Sequence, residues 1–254
     1  MRLKHTRKRL KDRYLLSAKM ADRQQALYSG LSKGESLVLE QKKGILCFGD
    51  SNTWGYVPKV IGSDGVASRY DENTRWTGVL ANCLGTEYKV WEEGLSGRTT
   101  IYSIPCEPHK TGESHLLPTL LSCAPLSAVV LMLGSNDLAL AANPPKEGQL
   151  ARGVLRLGRI IQNCEHCGRQ GTAPRLLLIS PPHIVAKLPV YDEAQRLSHH
   201  FAEEYEQASR ILGCDFLDSA PLAVPSKVDG VHLEPWGHFA LGEAVAQKLL
   251  EMLI

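Results

Sequence analysis

From residue 44 to the end, short apolar runs closed by Gly, Pro, Asp or Ser alternate with longer stretches whose apolar residues recur at helical spacing. That alternation leaves few ways to fold. A strand apolar at nearly every position must be covered on both faces, and amphipathic helices supply the cover. The strand-like runs are GILCFGD (44–50), YKVWEEG (88–94), AVVLMLGSND (128–137), RLLLISPP (175–182) and CDFLDSA (214–220). Helical spacing marks 75–85, 114–124, 147–168, 192–213 and 235–254. In 192–213, Leu197, Phe201, Tyr205 and Ala208 form the apolar stripe, and Arg196, Glu203 and Glu204 are left for solvent. Five such alternations predict a doubly wound, flavodoxin-like α/β fold, a five-stranded parallel sheet flanked by helices. Ligands of such a sheet bind beyond the carboxyl ends of its strands. Loops 51–74, 95–113, 138–146 and 183–191 leave those ends and are the expected walls of a pocket.

A chain of 254 residues, 43% hydrophobic and 22% charged, fits one α/β domain of this kind with a sizeable core. The net charge of +2 is unevenly spread: residues 1–43 hold twelve Lys/Arg against four Asp/Glu, so +8 lies there and −6 in 44–254. We therefore divide the chain into a basic N-terminal extension, 1–43, expected to be flexible or loosely helical, and a domain, 44–254. The extension lacks the aromatic interleaving of a nucleic-acid binder, and no nucleic-acid partner is expected. Its arginine content also fits a targeting peptide or a start at Met20. No run of eighteen apolar residues and no secretory apolar stretch is present, so the expectation is a cytoplasmic protein without membrane insertion. The seven cysteines are odd in number and scattered among apolar segments, which reads most of them as buried, reduced thiols. Cys164 and Cys167 have zinc-ligand spacing, but no second pair completes a tetrahedral site, and no metal is expected.

Serine-dependent acyl transfer needs a nucleophile, a base, a group that fixes the base's tautomer, and donors for the oxyanion. Ser51 follows the first strand and opens a loop. Asp229 and His232, three apart between the last strand and the last helix, can pair within a turn so that Nδ1–H meets the carboxylate and Nε2 faces outward. Gly94 ends the second strand, and Asn136 lies in GSND at the end of the third. With the Ser51 N–H they supply three donors on one edge of the sheet. Each segment has a plainer reading as a cap or polar turn. Four of them ending on the same edge favour the catalytic reading. His238 is a second candidate base, but its place about one turn into the last helix assigns it to the structure. Trp54, Tyr56 and Trp76 are candidate walls of an acyl pocket, or packing beneath the loop.

GDSNTWG (49–55), Gly94, GSND (134–137) and DGVH (229–232) resemble, in order and position, the four sequence blocks of the SGNH (GDSL-type) hydrolases. FGDSNTWGYVP, RWTGVLA, EEGLSGRTT, LMLGSND and ISPP are further similar to the arylesterase/acyltransferase subgroup. The resemblance implies a serine esterase of short acyl esters with no cofactor. It makes Ser51 the nucleophile, His232 the acid/base and Asp229 its orienter, with the Ser51 N–H, Gly94 N–H and Asn136 Nδ2 as the oxyanion hole. Asn52 stands where leucine is commoner, residues 1–43 have no counterpart, and loop 183–191 aligns poorly. A GxSxG elbow, as in the α/β-hydrolases, is missing from the serine's surroundings. The likeness leaves open a homo-oligomer, transfer to alcohols, and carbohydrate-acetylesterase, thioesterase or lysophospholipase substrates. Outside the enzyme class stands a binding module tethered by the basic extension.

Overall fold

The computed structural model describes residues 42–59 and 66–253. The basic extension, apart from Lys42 and Lys43, lies outside the described residues. Five strands form one all-parallel sheet: β1 (Lys43–Gly49), β2 (Tyr88–Gly94), β3 (Leu126–Met132), β4 (Arg175–Ser180) and β5 (Asp215–Asp218). Their spatial order is β2-β1-β3-β4-β5. The chain leaves β1 toward one side and returns across it to β3, so the loops after these two strands diverge and leave a crevice between them.

Both faces of the central strands are buried, which explains their continuous apolar sequences. Leu46, Phe48, Val129, Leu131, Leu176 and Leu178 point into one core layer. Ile45, Cys47, Ala128, Val130, Leu177 and Ile179 point into the other. The first layer is covered by α3 (Gly112–Cys123), α5 (Arg152–Gln162), α6 (Asp192–Ser198) and α7 (Phe201–Leu212). The second is covered by α2 (Trp76–Leu84) and α8 (Pro235–Met252). These two helices approach so closely that a Cβ on Gly242 would stand 2.7 Å from Val79 Cβ and from the Trp76 carbonyl oxygen. Two short helices, α1 (Ser51–Trp54) and α4 (Ser135–Ala139), begin where β1 and β3 end.

Several expected boundaries shift, each for a local reason. The run 192–213 is two helices, because Ser198 turns its hydroxyl back to the Gln195 carbonyl (2.7 Å) and accepts the Ile184 N–H (2.9 Å), ending the first helix there. The run 147–168 is helical only over 152–162. The Glu204 carboxylate holds the Gly148 and Leu150 N–H groups at 2.7 Å and pins the preceding residues in a turn. At its other end Cys164 and Cys167 are joined in a disulfide, so this pair departs from the reduced state expected of most of the cysteines, while the other five are free thiols. The 3-10 turn between Cys164 and Cys167 brings their Cα atoms to 5.3 Å, within disulfide range. Cys83 and Cys106 are exposed rather than buried.

Candidate active site

The strand-to-helix junction at β1 is shaped by two residues. Asp50 caps α1, its carboxylate accepting the Asn52 N–H at 3.0 Å. Gly55, at a φ of 87°, closes the helix after four residues by donating its N–H to the Ser51 carbonyl. Ser51 is thereby held at the first position of a helix at the carboxyl end of the sheet. From the other end of the chain, Pro225 pairs with Leu233 and the Ser226 N–H donates to the His232 carbonyl at 2.7 Å. The loop so closed presents Asp229 and His232.

The two segments meet. His232 Nε2 lies 2.9 Å from Ser51 Oγ, and His232 Nδ1 lies 2.8 Å from Asp229 Oδ2. The other oxygen, Asp229 Oδ1, accepts the N–H groups of Val231 and His232 at 3.0 Å each. Lys59 donates its N–H to Oδ2 at 3.3 Å. Burial pushes the Asp229 carboxyl up, but the hydrogen bond and charge of His232 and the two backbone donors outweigh it and hold it below the ordinary range. The carboxylate is thus kept ionised beside the imidazole, and its bond to Nδ1 selects the tautomer whose Nε2 accepts from serine.

Gly94, paired with Gly49 across the β1–β2 ladder, lies directly against α1. A Cβ there would come within 2.1 Å of the Trp54 nitrogen, so only glycine lets β2 end beside Ser51. Asn136 opens α4 and is buried, with Nδ2 donating one hydrogen to the Arg98 carbonyl at 3.0 Å. An amide nitrogen carries two hydrogens, so one remains for another acceptor.

Arg98 lies within EEGLSGRTT, where nothing in the sequence gives it a role. Its buried guanidinium donates to the Gly49 carbonyl at 2.9 Å and to the Glu93 carbonyl, lashing together the ends of β1 and β2. It also lies over the Phe48 ring, 4.0 Å from the centroid. Asp137 is the second residue missed. Fully buried, it accepts the N–H and hydroxyl of Thr100 at 2.7 and 2.6 Å, tying α4 to the loop after β2. Burial drives its pKa up to about 7 despite these donors. Asp50, also buried, is pushed up to about 6, with the Asn52 N–H and the charges of His232 and Arg98 acting the other way.

Of the three aromatic candidates, two border the site. Tyr56 stacks on the His232 ring, with centroids 4.3 Å apart, and Trp54 stands 6.2 Å from Tyr56 with Arg69 over its face. Trp76 is a correction: it is fully buried in the core between α2 and α8, because its helix turns that side chain away from the loop. His238 is fully buried, with Nδ1 accepting the Trp76 N–H at 3.3 Å, and burial lowers its pKa to about 4. It is a neutral packing group, as its sequence position indicated. Among the described residues, no three His, Cys, Asp or Glu side chains are grouped to hold a metal ion. None of the described helices is long and apolar enough to cross a membrane.

The family model of GDSL-like lipases and acylhydrolases matches residues 47–240. A search of curated protein sequences returned no significant match. Among solved structures, the aryl esterase of M. smegmatis is 33% identical with a TM-score of 0.76, and the match covers 83% of this chain and 100% of that one. A carbohydrate acetylesterase from Sinorhizobium meliloti is 30% identical with a TM-score of 0.75, over 83% of this chain and 100% of that one. With a parallel five-stranded sheet, four family blocks at its carboxyl edge and a match across most of its length, the chain belongs to the GDSL-like (SGNH) hydrolases and is a carboxylic ester hydrolase.

Proposed function

We propose that this protein hydrolyses short acyl esters, acetyl esters above all, through Ser51, His232 and Asp229. The observation that carries the reading is the unbroken chain of hydrogen bonds from Asp229 through His232 to Ser51 Oγ, at 2.8 and 2.9 Å. Ser51 Oγ attacks the ester carbonyl carbon while His232 Nε2 takes its proton. The carbonyl oxygen becomes an oxyanion, received by the N–H groups of Ser51 and Gly94 and the remaining Nδ2 hydrogen of Asn136. As the intermediate collapses, the bond to the alkoxy oxygen breaks and His232 returns the proton to the leaving alcohol. Water, activated by the same imidazole, then releases the carboxylic acid and regenerates Ser51. A second alcohol in place of water gives a transferred ester instead.

Tyr56, packed on the imidazole, and Trp54 beside it narrow the approach and favour a small acyl group. An aryl esterase and a carbohydrate acetylesterase among the similar structures point to the same acyl size with different alcohols. The test is the rate of hydrolysis of nitrophenyl acetate, butyrate and octanoate by the wild type, Ser51→Ala and Asn136→Ala. Rates should fall steeply with chain length and vanish in Ser51→Ala. Losing the Asn136 donor should lower turnover about 10²- to 10³-fold. Equal rates for wild type and Ser51→Ala would refute the mechanism, and a preference for octanoate would refute the small pocket. Release of acetate from acetylated xylan, measured alongside, decides between aryl and sugar alcohols.

A further inference from the structure

The pairing of Ser51 with His232 joins residues 181 positions apart, and Asp229 does not by itself secure it. Asp229 binds the imidazole and the N–H groups of Val231 and His232, all within its own loop, together with the Lys59 N–H. Apart from the single 3.3 Å contact from Lys59, it orients the ring within that loop rather than against the serine. Asn52, next to Ser51 and 2% exposed, reaches across instead. Its Nδ2 donates to the Val231 carbonyl at 3.2 Å, and its Oδ1 accepts the Leu233 N–H at 3.1 Å.

We propose that Asn52 is the positioning residue that holds His232 over Ser51, its side-chain amide gripping the backbone on both sides of the histidine. This rests on the proposed triad. Two bonds that flank one residue fix its orientation as well as its distance, which a single contact cannot do. The grip originates one residue after the nucleophile, whose own placement is set by the Asp50 cap on the Asn52 N–H. Nucleophile and base are therefore referred to a common point. A leucine side chain at position 52 offers neither donor nor acceptor. In this chain the Val231 carbonyl and Leu233 N–H would lose these partners, and the ring contacts and the Lys59 N–H on Asp229 would be left to hold the histidine's loop against the serine's segment.

The experiment is steady-state hydrolysis of nitrophenyl acetate by Asn52→Leu and Asn52→Asp, normalised to active sites counted by end-point fluorophosphonate labelling. Ser51→Ala is run in parallel. Misplacement of a catalytic group by about 1 Å costs up to roughly 10²-fold, so Asn52→Leu should lose about 10- to 100-fold in kcat. KM should stay within about twofold, since no substrate contact is removed. Asn52→Asp keeps the acceptor for the Leu233 N–H but loses the donor to Val231, and should fall between. Backbone exchange gives a second readout: the Leu233 amide should be protected in wild type and Asn52→Asp and exposed in Asn52→Leu. A kcat within about twofold of wild type in either folded variant overturns the proposal. So does failure of both variants to fold, which would assign Asn52 to stability rather than placement. If Ser51→Ala is as active as wild type, the triad itself is wrong. If Ser51→Ala is inactive and Asn52→Leu undiminished, only the role of Asn52 falls.

Discussion

Asp137 shows how a site can be organised by a side chain closed off from solvent. Its carboxyl, fully buried against Thr100, titrates near pH 7, about three units above an ordinary aspartate. Between those limits the folded state holds a proton that the unfolded chain has already released. Stability is therefore greatest below the unfolded pKa of about 4 and declines as pH rises toward 7. Asp50, raised to about 6 by the same cause, adds to the decline. Asn at position 137 is isosteric, can accept the Thr100 N–H and donate to the hydroxyl, and does not ionise. Thermal unfolding of Asp137→Asn from pH 4 to 8 should show a smaller loss of Tm across the upper part of this range than wild type. A parallel pH dependence would mean that the buried carboxyl is not the source. Residues of this kind are hard to find in a sequence. The proposed triad, Ser51, Asp229 and His232, could be singled out because acyl transfer demands these types at strand ends, whereas Asp137, Arg98 and Asn52 act through hydrogen bonds that no spacing reveals.

At the scale of elements, the junction of α1 with β2 is a tightly packed part of the site. Trp54 N would lie 2.1 Å from a Cβ on residue 94, so even a methyl group must drive the helix away from the strand. Overpacking of this sort costs about 1–3 kcal/mol, and here the displaced helix carries Ser51. Gly94→Ala should lower both Tm and kcat, and a crystal structure of the variant should show α1 shifted from β2. A variant with normal turnover would place Gly94 outside the site. The strands were readable where turn residues closed an apolar run: β2, though only half-buried, has the expected limits of 88–94, and β1 and β4 differ from theirs by one or two residues, whereas β3 ends at Met132, five residues before the expected 137. Helices were misread where a single polar side chain intervened, as Ser198 does in splitting α6 from α7 and Glu204 does in delaying α5. Trp76 was misplaced for a related reason. Nearness in sequence to the nucleophile's loop suggested a pocket, but helical geometry aims its ring at α8.

Across the whole molecule, the order β2-β1-β3-β4-β5 explains why residues from four distant segments share one edge. Parallel strands all end on the same side, so Ser51, Gly94, Asn136 and the loop of His232 are gathered by topology before any side chain chooses a partner. That much followed from the alternation of apolar runs with amphipathic ones. The ties that refine it, from Arg98 to two strand ends and from Asn52 to the last loop, emerged only with the structure.

The span from Ser51 to His232 also gives turnover a meaning beyond chemistry. A chain cut before Asp229 carries the serine hydroxyl with neither the proposed base nor its orienter, and α8, which seals the second core layer, begins only at Pro235. Activity is therefore a late signal of completed folding. In refolding from denaturant, esterase activity should return with the slowest phase of α8 packing onto α2, not with the earlier gain of helical signal. On the ribosome, the nascent chain stays chemically silent until about its last tenth, residues 229–254, has emerged.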